Sequence, residues 1–261
     1  MPTEPTRLLC ASDLHLTTSP LYGTVDTWAR LDLLIEHVRQ ARLRINGVVL
    51  AGDLTDTGEA EAYRRLRELS SRFGVPVSYG MGNHDVRRPF RRELLDLDGE
   101  DPVDYTTQIR GVRIVHLDTS VPGAGHGEVT PTQREWLADV LSTPAPEGSV
   151  LVMHHPPLAT SSAIMTTYRL RERESLTEII APSDVRVICS GHLHAAGSGT
   201  FAGKPVSVSG AISYASNPLA MPAYRGMRAG SSANLVEIGD EVVTSIVPLE
   251  MADELYELGS T

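Results

Sequence analysis

The sequence predicts an α/β fold that opens with parallel βαβ units and closes with β-hairpins. Three observations carry this prediction. Short apolar runs alternate with amphipathic stretches of helical period through the first third of the chain. Each of those runs ends in a polar turn built from Gly, Asp, Asn and His. The last third loses the helical period and reads as paired extended segments joined by glycine-containing turns. At 261 residues, 41% hydrophobic and 21% charged, the chain can bury a substantial core as a single domain, expected to run from about residue 7 to 250 with polar tails.

The elements follow in order. Arg7 to Cys10 enters a strand that ends at Asp13-Leu14-His15. Thr27 to Leu43 has helical spacing, with Leu31, Leu34, Ile35 and Val38 on one face. Gly47 to Ala51 is a strand running into Gly52-Asp53, and Glu59 to Phe73 is a second amphipathic helix, stopped by Gly74. Val75 to Tyr79 is a strand ending at Gly82-Asn83-His84-Asp85. Tyr105 to Ile109 and Val112 to Leu117 form a hairpin around Arg110-Gly111. Thr130 to Leu141 is a helix with Pro131 near its start and Trp136 turned inward. Val150 to Met153 leads into His154-His155-Pro156-Pro157, Arg169 to Ile180 is read as helical, and Val185 to Cys189 ends at Gly191-His192-Leu193-His194. Hairpin strands are expected at 199–201, 206–209, 233–238 and 242–249, the last two turning at Gly239-Asp240. There is no internal repeat and no low-complexity tract.

Charge and composition exclude some classes. A net charge of −10 argues against a stable nucleic-acid partner, which calls for a basic footprint. It leaves a phosphate substrate open, because divalent metals can invert a local field. No apolar run is long enough to span a bilayer, so no membrane partner is expected. Met1 to Arg7 is polar and lacks the pattern of a signal peptide, so a cytoplasmic location is expected. Cys10 and Cys189 each sit in an apolar run and read as buried, reduced thiols, with a disulfide as the less favoured alternative.

One regularity outweighs any single motif. Five strands end at turns carrying metal-type ligands: Asp13 with His15, then Asp53, Asn83, His154, and His192 with His194. Carboxyl ends of strands in α/β sheets are where ligands bind, and parallel neighbours would bring all five turns to one edge. Imidazole, carboxylate and amide oxygen without thiolate suit Mn, Fe, Zn or Co. Seven ligands suit two ions that share a carboxylate. Taken singly, most of these pieces have an ordinary explanation: a solvated turn for Asp13-Leu14-His15, a helix cap for Asp53. Gly82-Asn83-His84-Asp85 is more specific, and Gly191-His192-Leu193-His194 more so, since two histidines at alternate positions of an extended segment face the same way.

In this order the motifs resemble the calcineurin-like metallophosphoesterases. The resemblance rests on Asp13-Leu14-His15, Gly52-Asp53-Leu54-Thr55-Asp56, Gly82-Asn83-His84-Asp85, His154 and Gly191-His192-Leu193-His194, and spans about Arg7 to Leu249. His154-His155-Pro156-Pro157 and Gly203-Lys204-Pro205-Val206 make it most similar to the bacterial class III cyclic-nucleotide phosphodiesterases and their glycerophosphodiesterase relatives. The resemblance implies a four-layer β-sandwich flanked by helices, with a binuclear metal site at the strand ends. It assigns Asp13, His15, Asp53 and His194 to one ion and Asp53, Asn83, His154 and His192 to the other, with a hydroxide bridging them as nucleophile. It leaves His155 behind the site or facing solvent. His15, Asn83, His84 and His194 would meet a small-molecule phosphate ester. His84 would be catalytic, protonating the leaving oxygen, with Asp85 orienting it or locking the turn. Asp56 would organise the loop behind Asp53, and Arg87 would brace a loop by an ion pair.

Substrate choice is written more faintly. Pro157 to Tyr168 is expected as a lid, with Met165 and Tyr168 as contacts, and Pro89-Phe90 as a second apolar wall. Glu172 stands where relatives carry Asn, and a carboxylate near phosphate is repulsive unless it faces away. The expected reaction is hydrolysis of 3′,5′-cyclic AMP or 2′,3′-cyclic nucleotides. The alternatives are a broad phosphodiesterase acting on glycerophosphodiesters or nucleic-acid fragments, and a non-catalytic scaffold of the same fold. A homodimer is left open.

Overall fold

A computed structural model describes residues 4–159, 163–220 and 225–250. In chain order its elements are β1 (Thr6–Ala11), α1 (Thr27–Gln40), β2 (Gly47–Ala51), α2 (Ala60–Ser70), β3 (Val77–Gly80), α3 (Arg87–Leu95), β4 (Tyr105–Ile109) and β5 (Val112–His116). Then come β6 (Ser120–Val121), β7 (Ala124–Gly127), α4 (Pro131–Leu141), β8 (Ser149–Val152), α5 (Ala163–Thr167), α6 (Thr177–Ile180) and β9 (Val185–Ser190). The chain closes with β10 (Gly197–Phe201), β11 (Lys204–Val208), β12 (Ala215–Ser216), β13 (Gly226–Met227), β14 (Ser232–Ile238) and β15 (Val242–Pro248).

Two sheets stack face to face. The first has the order β15-β14-β1-β2-β3, the second β10-β11-β9-β8-β5-β4. In the first sheet β1, β2 and β3 are parallel, while β14 returns antiparallel beside β1 with Leu8 opposite Val236. In the second, β5, β8, β9 and β11 are parallel, with antiparallel hairpin partners at both edges.

Alternation along the strands makes the layers. On β1, Leu8 and Cys10 face the second sheet, where they meet Val150, Val187 and Cys189. Leu9 and Ala11 face the other way, onto Leu31, Leu34 and Ile35 of α1, Tyr63 and Leu66 of α2 and Phe90 of α3. The outer face of the second sheet packs Val115, Leu151 and Ile188 on Leu137 and Leu141 of α4 and Ile180 of α6. The result is helix, sheet, sheet, helix, the four layers expected. Each fully buried Leu, Ile or Val contributes about 1.5–3 kcal/mol relative to exposure. Cys10 and Cys189 are free thiols, fully buried, with sulfurs 3.4 Å apart across the sheet interface.

Several boundaries differ from expectation. α1 stops at Gln40, where Ala41 turns extended, so it does not reach Leu43. Arg169 to Ile180 is not one helix. Gly127 exchanges main-chain hydrogen bonds with Arg169 and Arg171, and Glu172 is left-handed (φ 47°), so helix begins only at Arg173 with a 3₁₀ turn. α3 went unforeseen and makes Phe90 a fully buried core residue, not a cavity wall. The five ligand-bearing turns do not share one sheet: three follow β1, β2 and β3, and two follow β8 and β9. Stacking brings the two edges together instead. Among the described residues, no helix is long and apolar enough to cross a membrane.

Candidate metal centre

The ligand-type side chains converge where the two sheets meet. Atoms of Asp13, His15 and His194 lie within 4.8 Å of one another, as do atoms of Asp53, His154 and His192. His15, Asp53 and His84 make a third such group, placing His84 at the rim of the same cluster. Asp53 sits between the halves: its Oδ2 is 3.2 Å from His154 Nε2 and 3.7 Å from His15 Nε2.

The local backbone explains the convergence. Asp13, His15, Asp53, His192 and His194 all have positive φ, between 45° and 71°. Left-handed backbone disfavours residues with a Cβ, so each stores strain that the surrounding contacts must offset. Main-chain bonds hold the first turns in register, from Asp13 N to Gly52 O and from His15 N to Asp53 O. The Asp13 carboxylate accepts from His192 N at 2.9 Å, which ties the end of β1 to the end of β9. Gly82 allows a close approach of two turns, since a Cβ there would overlap the Asp53 carboxylate. Because His192 and His194 occupy left-handed turns, they do not face one way as an extended segment would require; each joins a different half of the cluster.

Each histidine of the Asp13 and Asp53 groups is gripped from outside by an oxygen. His15 Nδ1 pairs with Asp56 Oδ1 at 3.0 Å. His154 Nδ1 donates to Ala51 O at 2.9 Å, His192 Nε2 to Tyr168 O at 2.8 Å, and His194 Nδ1 to Tyr214 O at 2.9 Å. A carbonyl only accepts, so it fixes which nitrogen carries the proton and turns the other toward the cluster. Inside, His15 Nε2 and His194 Nε2 stand 3.2 Å apart, and His194 Nε2 is 3.4 Å from Asp13 Oδ1. Asn83 Oδ1 and His154 Nε2 are buried with no hydrogen-bond partner. Buried polar atoms are seldom left so; His154 Nε2 faces the Asp53 and Asp13 carboxylates, and Asn83 lines the same site as Asp53, as ligands for a cation would. The set fits a pair of metal ions.

Electrostatics agree. Burial opposes ionisation of Asp53, yet His154 and then His15 hold its carboxyl well below the usual range. Burial pulls His154 down, but Asp53 and Asp13 lift it to about 9. Burial, with His154 beside it, pushes His192 down to about 4, and burial lowers His194. The two carboxylates thus attract positive charge, drawing it onto His154, while His192 and His194 are held neutral, the form that binds metal.

The other expected residues take definite places. His84 is exposed, and its Nδ1 donates to Asp56 O at 2.9 Å. Asp85 does not orient it. The Asp85 oxygens accept from Leu54 N, Thr55 N, Gly82 N and Tyr63 Oη, so this carboxylate locks two ligand turns together. Burial and Asp53 raise its pKa to about 6. Of the two places expected for Asp85, orienting His84 or locking the turn, its contacts match the second. Asp56, expected behind Asp53, holds His15 and flanks His84. Arg87 makes its ion pair with the buried Asp118 at 2.9 Å, bracing the 118–120 turn. His155 is buried rather than solvent-facing, pairing with Thr119 Oγ1 at 2.8 Å.

A cavity of about 560 Å³ opens over the cluster, lined by Asp53, Asn83, His84, His192 and His194 on its floor. Gly123 to Gly125, Ile164, Met165, Tyr168 and Tyr214 form its walls. Met165 and Tyr168 thus stand where a lid was expected, though residues 160–162 of that segment lie outside the described residues. Glu172 borders a separate, larger cavity with Arg134 and Arg169 that contains no cluster residue, so its charge is directed elsewhere. Sequence reasoning missed the main-chain oxygens of Tyr168 and Tyr214 and the Gly123–Gly125 wall. Backbone groups carry no residue signature, and no signal could have found them.

Comparisons with known proteins agree with this geometry. A family profile described as calcineurin-like phosphoesterase matches residues 6–196. A cAMP/cGMP dual specificity phosphodiesterase of Mycobacterium tuberculosis is 42% identical over 251 residues, covering 93% of this chain and 79% of that protein. A 3′,5′-cyclic adenosine monophosphate phosphodiesterase of Pseudomonas aeruginosa is 30% identical over 191 residues, covering 72% and 69%. Among solved structures, a dimetal phosphatase from Danio rerio shares the fold with a TM-score of 0.67 at 17% identity, covering 96% of this chain and 98% of that one.

Proposed function

Because this chain belongs to the calcineurin-like phosphoesterase family, we propose that it is a metal-dependent phosphodiesterase whose substrates are cyclic nucleotides, 3′,5′-cyclic AMP or 2′,3′-cyclic nucleotides. The family implies a dimetal site. The observation that carries the reading is the set of four histidines, each anchored from outside by an oxygen and grouped around Asp13 and Asp53 beneath the cavity. Relatives that hydrolyse cyclic nucleotides by name add the substrate class.

Asp13, His15, Asp53 and His194 would hold one ion, and Asp53, Asn83, His154 and His192 the other. Their nitrogen and oxygen donors suit Mn, Fe, Zn or Co. Two such ions, when bound, acidify a water and polarise the phosphoryl oxygens. The protein supplies the rest. Asn83 and His84 border the cavity beside Asp53, where a phosphate would lie. His84 Nδ1 donates to the Asp56 carbonyl, so a ring that also donates from Nε2 is an imidazolium. From Nε2 it can stabilise phosphate charge and protonate the departing alkoxide. Asp56 thereby serves His15 and His84 together. We place the protein in the cytoplasm, acting on small molecules.

A panel of phosphomonoesters, linear diesters and cyclic nucleotides, assayed with each metal, tests the proposal. Hydrolysis of bis-p-nitrophenyl phosphate and turnover of cyclic AMP or a 2′,3′-cyclic nucleotide are expected. Monoester hydrolysis with no diester turnover in any metal would defeat it.

A further inference from the structure

One part of the cavity wall has no role in the phosphate chemistry. The ring of Tyr214 lies against the ligand histidines, its centroid 4.2 Å from that of His194 and 6.0 Å from that of His15. Its outer edge meets Tyr22, with ring centroids 5.4 Å apart, edge to face, and Tyr22 Oη donates to Tyr214 Oη at 3.3 Å. Tyr22 is 72% exposed, so it contributes little to the core. It sits at the tip of a short turn closed by Leu21 and Val25, with φ of 52°. A bulky residue in left-handed backbone, holding a large ring in water, is unfavourable twice over. Packing of the fold does not account for it. Tyr214 also borders a second, smaller cavity of about 400 Å³, together with Tyr22 and Met227.

Resting on the cyclic-nucleotide reading above, we infer that Tyr22 and Tyr214 form the base-binding subsite, a two-ring aromatic corner in which the planar heteroaromatic base of the substrate packs on one ring and abuts the other while its phosphate reaches the metal ligands. The chemistry favours this occupant. The floor of the cavity is polar and suits phosphate, whereas the corner offers aromatic surface and two hydroxyls that already bond each other. Aromatic rings accept any base, because every base has a π-face. Recognition by these rings therefore favours a base over none while distinguishing adenine from guanine weakly.

The test compares 3′,5′-cyclic AMP with the 3′,5′-cyclic phosphate of methyl riboside, which keeps the phosphate and leaving oxygen but lacks the base. In the wild-type enzyme kcat/KM should favour cyclic AMP by on the order of tenfold or more. In Tyr22→Ala and Tyr214→Leu that ratio should fall toward one, mainly through KM for cyclic AMP. Tyr22→Phe, which keeps the ring, should retain most of it. The ratio is taken within each variant, so a change in metal loading cancels. A wild-type ratio near one, or an undiminished ratio in both Tyr22→Ala and Tyr214→Leu, would overturn the inference alone. Turnover of bis-p-nitrophenyl phosphate with neither cyclic compound hydrolysed would overturn the cyclic-nucleotide reading beneath it.

Discussion

His84 shows how far single residues were legible. Its motif put it beside Asn83 and outside the ligand set, and the structure leaves its ring exposed at the cavity. What the motif could not say is which partner steadies it. Asp85, its neighbour in sequence, turns inward to backbone donors, and Asp56, 28 residues away, accepts from it. Neighbours along a tight turn point apart, so sequence adjacency misleads there. The consequence is testable. If His84 protonates the leaving oxygen, His84→Ala should barely slow a nitrophenyl diester, whose leaving group departs unprotonated. Loss with an alkyl diester should approach the roughly 10²–10⁴-fold typical of general acids. Measuring kcat on both substrates, with metal content checked, decides it. Equal losses would leave His84 only as a stabiliser of phosphate charge.

At the scale of elements, strong periods were read well and weak ones badly. The hairpin of β4 and β5 has the expected limits to within a residue, because Arg110 and Gly111 both adopt the positive φ that its tight turn requires. α3 escaped notice because four of its nine residues are arginine and its buried face is only Phe90 and Leu94. A polar network joins the next elements. Gln133 completes a capping box with Thr130 at the start of α4, and its amide also donates to Asp104 Oδ1 and Asp118 O. Burial raises Asp104 to about 6 despite these bonds, helped by the Asp118 charge. Its folded pKa thus exceeds the unfolded value near 4, so this carboxyl favours the fold most below pH ~4, and that advantage disappears as pH rises through about 6. Asp104→Asn keeps the Oδ1 acceptor and removes the charge. Between pH 4.5 and 7.5 the variant should lose about 1–3 kcal/mol less unfolding free energy than the wild type. Urea titrations at the two pH values measure this; parallel pH profiles would reject it.

For the whole molecule, the ligand turns were legible but their division between two sheets was not. Strand order depends on long-range pairing, which leaves no mark on a local window. The division matters for stability, because Asp53 and Asn83 follow strands of one sheet and His154, His192 and His194 those of the other. Ions bound there would tie both sheets, raising the melting temperature by mass action, about 4 kcal/mol when free metal exceeds Kd a thousandfold. Close to two equivalents per chain are expected, with chelation abolishing activity and lowering Tm. Asp53→Ala should lose both ions and Asn83→Ala chiefly one. Identical losses, or a single tight site in the wild type, would refute the shared-ligand arrangement. A different consequence follows from β1 lying between β2 and β14. On the ribosome, β1 must wait for a partner strand that begins at residue 232. Until residues 232–238 have been synthesised, one edge of β1 stays open with its main-chain hydrogen-bonding groups unpaired, a long-range closure of the kind that folds slowly and invites association with other nascent chains.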